Sequence, residues 1–175
     1  MKIGLCGIVS CGKTKIVNEL KTLERFKDYK TATERSKYLR DQGIQLNTDS
    51  TLKGQIVFAA ERSLELMDDN IITDRTIYDV CAFTLSAKSI SEYDKELFVN
   101  LMMRIRNDYD LIIYVSPEGV DLEDNNIRTT DKDYRDKIDY TIKEMLKEYP
   151  PKNLLEIKGT TEERISQIEQ YLLTQ

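Results

Sequence analysis

The residues best placed to do chemistry come early in the chain. Gly7-Ile8-Val9-Ser10-Cys11-Gly12-Lys13-Thr14 matches G-x-x-x-x-G-K-[ST] at every fixed position. The glycines let the backbone bend until successive N–H groups converge on phosphate oxygens, so Gly7, Ser10, Cys11 and Gly12 would line the cradle. A helix that follows directly aims its positive N-terminal end at the same point. Lys13 would reach the β- and γ-phosphates of a nucleoside triphosphate, and the Thr14 hydroxyl would hold Mg²⁺. That chemistry needs Lys13 as an exposed charge at the cradle rather than as part of the packing.

A second polar pair, Asp74-Arg75, stands just beyond the short apolar run Ile71-Ile72-Thr73. In an open α/β sheet, ligands gather at the carboxyl ends of strands. There Asp74 could accept a proton from a substrate hydroxyl or hold a Mg²⁺-bound water, and Arg75 could clamp an acceptor phosphate. A strand-end surface ion pair is the alternative for both. Asp68-Asp69 also follows an apolar stretch, but it ends the helical series begun at Ile56 and reads as a turn.

The chain has no histidine. Ser-His-Asp and Cys-His catalysis, HExxH zinc sites and histidine bases are therefore excluded. The residues three before each glycine after the motif are Arg40, Thr51, Ser116 and Glu156, so the Asp of a GTPase switch is missing, as is NKxD.

Elements that could position these groups alternate along the chain. Lys2 to Cys6 is a short buried-strand pattern, and Ile16, Val17, Leu20 and Leu23 recur at helical spacing from Lys13 onward. Ile56, Ala60, Leu64 and Met67 mark a second amphipathic helix, and Phe98, Leu101, Met102 and Ile105 another. Leu111 to Val115 is an apolar strand, Ile138 to Tyr149 a helix ended by Pro150-Pro151, and Leu154 to Ile157 the last strand. The closing helix starts at Thr160, with Glu163 completing a capping box. Apolar strand runs alternating with helices imply a parallel sheet covered on both faces. Residues 116–135 break the rhythm with a polar, charged segment suited to a lid or to a plain surface loop.

At 175 residues, with no repeat or linker, the chain reads as one domain, 1–175. No run approaches a membrane span, the start shows no signal-peptide pattern, and three unpaired cysteines suit a reducing compartment, so the expected location is cytoplasmic. A net charge of −5 makes nucleic acid possible as a partner only through a local basic groove, and it is not favoured. A homodimer is left open.

The stretch Ile56-Val57-Phe58-Ala59-Ala60-Glu61-Arg62, followed by Asp74-Arg75 and Ala82-Phe83, resembles the acceptor half of thymidylate kinases. The resemblance implies that Phe58 stacks on the base, with Phe83 beside it, that Arg62 meets the base edge, and that Arg75 contacts the monophosphate. Thr33-Glu34-Arg35-Ser36 departs from that family. With Arg40, Gln55 and Asp79, it is similar to the branch of small P-loop ATPases that includes nicotinamide riboside kinase, many of them encoded by phages. Glu34 and Arg35 thereby join the acceptor candidates. Kinases of this kind close a lid whose arginines neutralise charge in transfer, which points to Arg128 and Arg135. Gly159-Thr160-Thr161 falls where such kinases contact adenine, though it also makes a helix cap.

The resulting expectation is an α/β P-loop NTPase fold of three layers, with a parallel five-stranded sheet between helices and a lid over about 116–135. The expected reaction moves the γ-phosphoryl group of MgATP to a nucleotide or nucleoside, foremost a deoxynucleoside monophosphate. Catalysis would rest on Lys13, Asp74, Arg128 and Arg135, and Mg²⁺ on Thr14 and Asp74. Transfer to a modified base in DNA, and a regulatory module that hydrolyses ATP slowly, are the alternatives.

Overall fold

The computed structural model describes residues 1–33, 35–118 and 132–174. Glu34 and Arg128 therefore lie outside the described residues, as does most of the expected lid. Its last residues, Lys132 to Arg135, form the first turn of a helix rather than a loop.

Five strands, β1 (Lys2–Cys6), β2 (Lys30–Ala32), β3 (Ile71–Asp74), β4 (Leu111–Val115) and β5 (Leu154–Ile157), form one sheet in the order β2-β3-β1-β4-β5. Every pairing is parallel, with Leu5 opposite Asp74 on one side of β1 and Cys6 opposite Tyr114 on the other. The inner strands β1, β3 and β4 are buried almost throughout, which is why they read as unbroken apolar runs. The chain leaves β1 toward β2 and later crosses to β4 on the opposite side, so strand order reverses at β1. That is where an open α/β sheet forms its ligand crevice.

Seven helices flank the sheet among the described residues: α1 (Lys13–Thr22), α2 (Ser36–Asp41), α3 (Leu52–Glu65), α4 (Ile77–Ser86), α5 (Glu92–Met102), α6 (Lys132–Glu148) and α7 (Thr161–Leu173). Helix α1 packs on α7, while α4 is surrounded by α3, α5 and α6. Eight of the ten residues of α4 are buried, so it has no polar face and no amphipathic period to betray it. The capping box of α7 forms as its spacing implies, Thr160 N–H donating to Glu163 and Glu163 N–H to the Thr160 hydroxyl.

Helix α3 is turned opposite to its sequence pattern. The apolar row that identifies it faces outward, with Ile56, Leu64 and Met67 exposed at 52%, 72% and 78%. Its buried side holds Gly54, Gln55, Ala59 and Arg62 instead. The helix ends at Glu65, and Asp68 pairs with Lys30 at 2.5 Å on the surface, as befits a terminating turn.

Candidate active site

The cradle spans the end of β1 and the start of α1. Gly7 (φ 146°) has no room for a side chain, since a Cβ there would lie 2.7 Å from the Val115 carbonyl oxygen. Gly12 (φ 88°) caps α1 in the left-handed conformation, and Ser10 (φ 60°) shares that region, so the loop folds back over the helix end.

Lys13 differs from expectation. It is 5% exposed, and its Nζ donates to the carbonyls of Gly7 (2.9 Å) and Ile8 (2.7 Å), with the Cys11 Sγ at 3.4 Å. The side chain therefore closes the loop on itself and carries a structural as well as a chemical load. Phosphate oxygens would have to compete with two carbonyls for this ammonium.

Thr14 and Asp74 meet across the crevice, the threonine Oγ1 donating to the Asp74 Oδ2. Asp74 is buried at the end of β3, directly opposite Leu5 of β1. Among the described residues no group of three or more acidic, His or Cys side chains forms a ready metal cage. Two protein oxygens suit Mg²⁺, which keeps waters and phosphate oxygens in most of its octahedral positions. Thr14 and Asp74 fit such an ion.

Arg75 follows with a left-handed backbone (φ 97°), held by its N–H to Leu5 O (3.0 Å) and by the Thr73 hydroxyl, which donates to its carbonyl (2.9 Å). Its guanidinium lies 5.0 Å over the Phe83 ring and 3.6 Å from Asp79 Oδ1. Arg75, Phe58 and Phe83 line one cleft with Gln55, Asn47, Ser50, Ser36 and Val80, and Val9 of the phosphate loop forms its near wall. Three of the acceptor candidates thus meet next to the cradle, and both phenylalanines also touch the core.

Arg62 is not among the residues that line the cleft. It is 3% exposed, with Nη1 donating to the Asp74 carbonyl (3.2 Å) and Nη2 to Glu65 Oε1 (2.6 Å). The inward face of α3 carries it beneath the end of β3, where Nη1 and Nη2 are both engaged, so it braces Asp74, and the base-edge contact implied by the resemblance would have to compete with those bonds. Burial pushes the neighbouring Glu65 carboxyl up to about 7, against the pull of Arg62. Arg35 stands half-exposed at the start of α2, bound to Glu61 (3.0 Å) and stacked on Tyr38 (4.5 Å).

Arg135 reaches the site from α6. It is buried, and its Nε has no hydrogen-bond partner among the described residues. Burial draws its pKa down, while Cys11 of the cradle and the adjacent Asp136 pull the other way. A desolvated guanidinium beside the cradle is suited to meeting phosphate charge.

Two residues without an assigned role in the sequence pattern hold this arrangement together. Asp79 accepts from Gly7 N–H (3.2 Å) with Oδ1, and from Thr76 N–H (2.8 Å) and the Thr76 hydroxyl (3.0 Å) with Oδ2. The signal was present as Thr76-x-x-Asp79, a capping box opening α4. Arg164 of α7 is buried, with Nη1 donating to Cys11 O (2.6 Å) and Nη2 to Ser116 O (2.8 Å) and Glu118 O (2.9 Å). It shares the inward stripe of α7 with Ile168 and Leu172 at four-residue steps, which placed a cation on a core-facing row.

Comparison with solved structures agrees with this architecture. Deoxyadenosine kinase from M. mycoides, solved with dCMP and dCDP, superposes with a TM-score of 0.68 at 19% identity, each chain covered in full. Thymidylate kinase from Candida albicans gives 0.65 at 18% identity, covering 98% of this chain and 90% of that one. The NadR protein in complex with NR gives 0.73 at 16% identity over 97% of this chain, which spans 50% of NadR. At these identities the likeness is one of fold. A search of curated proteins finds no sequence match. No helix among the described residues is long and apolar enough to cross a membrane. A family model described as an AAA domain (AAA_28) matches residues 2–164, and the chain belongs to that P-loop family.

Proposed function

We propose that this chain is a phosphotransferase that moves the γ-phosphoryl group of MgATP to a nucleotide or nucleoside, foremost a deoxynucleoside monophosphate. The observation that carries the reading is the continuity of two half-sites. Thr14, Lys13 and Asp74 converge at the reversal point of the sheet, and the very next residue, Arg75, enters an aromatic cleft walled by Val9 of the same loop. A donor phosphate on the loop and an acceptor between Phe58 and Phe83 would meet at Asp74. Kinases of similar fold support a nucleotide or nucleoside acceptor, since a deoxyadenosine kinase was solved with products dCMP and a flexible dCDP bound and another is a thymidylate kinase.

The roles follow from placement. Loop amides and Lys13 would hold the β- and γ-phosphates, and Thr14 and Asp74 would hold Mg²⁺, which draws charge from the transferring group when bound. Arg75 would fix the acceptor phosphate, and Arg135, with Arg128 from the lid segment, would meet charge developing on the γ-phosphoryl oxygens. No covalent intermediate is required, because positioning and electrostatics supply most of the rate in such transfers.

One observation favours a nucleoside acceptor as a second reading. Arg75 is the sole cation lining the cleft among the described residues, and Asp79 stands 3.6 Å from it, so its charge is already partly balanced. Release of ADP, measured with MgATP against deoxynucleosides, their monophosphates and single-stranded DNA, distinguishes the cases. Stimulation by monophosphates supports the first reading and stimulation by nucleosides the second. ATP turnover indifferent to every acceptor would leave a slow ATPase module.

A further inference from the structure

One row of α6 carries three charged side chains at four-residue steps, Arg135, Asp139 and Lys143, and they are engaged very differently. Arg135 is buried, and its Nε has no hydrogen-bond partner among the described residues. Asp139, itself only 14% exposed, stands one turn further along. Oppositely charged residues four apart are neighbours on a helix and pair readily. Asp139 turns the other way. Its Oδ1 accepts from the Tyr114 hydroxyl of β4, and its Oδ2 lies 2.8 Å from the Lys143 ammonium, which also stands 5.4 Å over the Tyr114 ring. Tyr114 pairs across the sheet with Cys6, directly before the first glycine of the phosphate loop. Burial and the bond to Asp139 push its hydroxyl pKa well up, so it remains a donor. The carboxylate that does act on Arg135 is the adjacent Asp136, which is exposed and screened by water.

We propose that Tyr114 and Lys143 are positioning residues for Arg135: by occupying both oxygens of Asp139 they keep that carboxylate from pairing with the arginine, and so leave the guanidinium charge to the phosphate cradle. A buried guanidinium without a partner is costly. The carboxylate that could relieve it lies one turn away, so something must hold the two apart. One hydroxyl and one ammonium do so, each taking one oxygen. Desolvation would make an Arg135–Asp139 pair stronger than the same pair on an open surface. Loss of either holder therefore frees an oxygen for Arg135, which would then answer a side chain instead of phosphate. A simple scaffold, in which Tyr114 and Asp139 fasten α6 to β4, has the opposite signature, because there Asp139 is indispensable, whereas here it is a hazard held in check. The inference rests on the assignment of Arg135 to phosphate charge in the phosphotransferase reading, but not on the identity of the acceptor.

Titration calorimetry of the full chain with MgATP, with turnover measured alongside, tests it. Arg135→Met should weaken MgATP binding about tenfold, the scale of one lost hydrogen bond to a charged group, and ADP binding less. Lys143→Met, at a half-exposed position whose loss leaves folding intact, should weaken MgATP nearly as much, and so should Tyr114→Phe. Asp139→Asn should bind like the wild type, because its amide oxygen still accepts from Tyr114 and offers Arg135 no charge. Adding Asp139→Asn to Lys143→Met should restore affinity, and kcat with it, which loss of a merely structural contact would not allow. Normal MgATP affinity in Arg135→Met, or in both Lys143→Met and Tyr114→Phe, overturns the proposal. So does an Asp139→Asn variant as weak as Lys143→Met, or a double variant that is not restored. If no acceptor stimulates turnover while the affinity pattern holds, the phosphotransferase reading falls and this inference stands. Acceptor-dependent turnover without that pattern does the reverse.

Discussion

Asp79 ties the first amide of the phosphate loop to the arginine of the aromatic cleft, its Oδ1 lying 3.2 Å from Gly7 N and 3.6 Å from Arg75 Nη1. One carboxylate thus sets the loop and the cleft against each other. Asp79→Asn should raise KM for ATP and for the acceptor together, each about tenfold, since a lost buried hydrogen bond to a charged group costs about 1.5–3 kcal/mol. Arg75→Ala should raise the acceptor KM alone. Steady-state kinetics with both substrates varied checks this, and a pure loss of kcat in Asp79→Asn would contradict it.

Lys13→Ala should lower phosphoryl transfer about 10²–10³-fold, the usual loss when one donor to transition-state charge is removed. Because Nζ also satisfies the Gly7 and Ile8 carbonyls, the same change should cost about 1–2 kcal/mol of stability in urea titration. Unaltered turnover would displace the lysine from the reaction.

Arg164→Met keeps much of the side-chain volume and removes three donors to backbone carbonyls. The expected loss is about 3 kcal/mol in a urea or thermal transition, with ATP affinity falling because the Cys11 peptide loses its support. A variant of wild-type stability would show that water replaces the guanidinium.

Glu65 predicts a slope of stability with pH. Its folded-state pKa, raised to about 7, exceeds the ordinary value of 4.5, so between these limits the folded chain holds a proton that the unfolded chain has lost. Its contribution is fully present below about 4.5 and lost as pH rises through 7. Glu65→Gln should remove a fall of about 3 kcal/mol at most across that window, measured as the difference between urea midpoints of the two proteins. Parallel curves would mean the carboxyl titrates normally.

The phosphate loop and most of the sheet were legible in the sequence for one physical reason. A buried parallel strand must be apolar on both faces, and a loop that wraps phosphate admits only glycine where the backbone crowds Val115 or turns left-handed. Helix α4 escaped notice because burial on all sides erases periodicity. The outer row of α3 was legible as a helix but not in its direction, since a pattern of apolar residues does not say whether a core or another surface will cover it. The surroundings of Arg62 were hidden for a related reason: a motif gives residue type, whereas only packing shows that the Asp74 carbonyl and Glu65 already hold its fork. Asp79 and Arg164 act through backbone atoms far away in sequence, which no local spacing records beyond a capping box and a cation on an inward stripe.

The left-handed backbone at position 75 has an evolutionary consequence. The fold alone would prefer glycine there, because φ 97° strains any residue with a Cβ. Arg75→Gly and Arg75→Ala lose the same guanidinium and differ chiefly in that strain, so the glycine form should melt later, by about 1 kcal/mol. Arginine persists against this pull only while its side chain has work in the cleft. A mutational library sorted by survival of heating should favour glycine over alanine at position 75, and one sorted by turnover should return it to arginine.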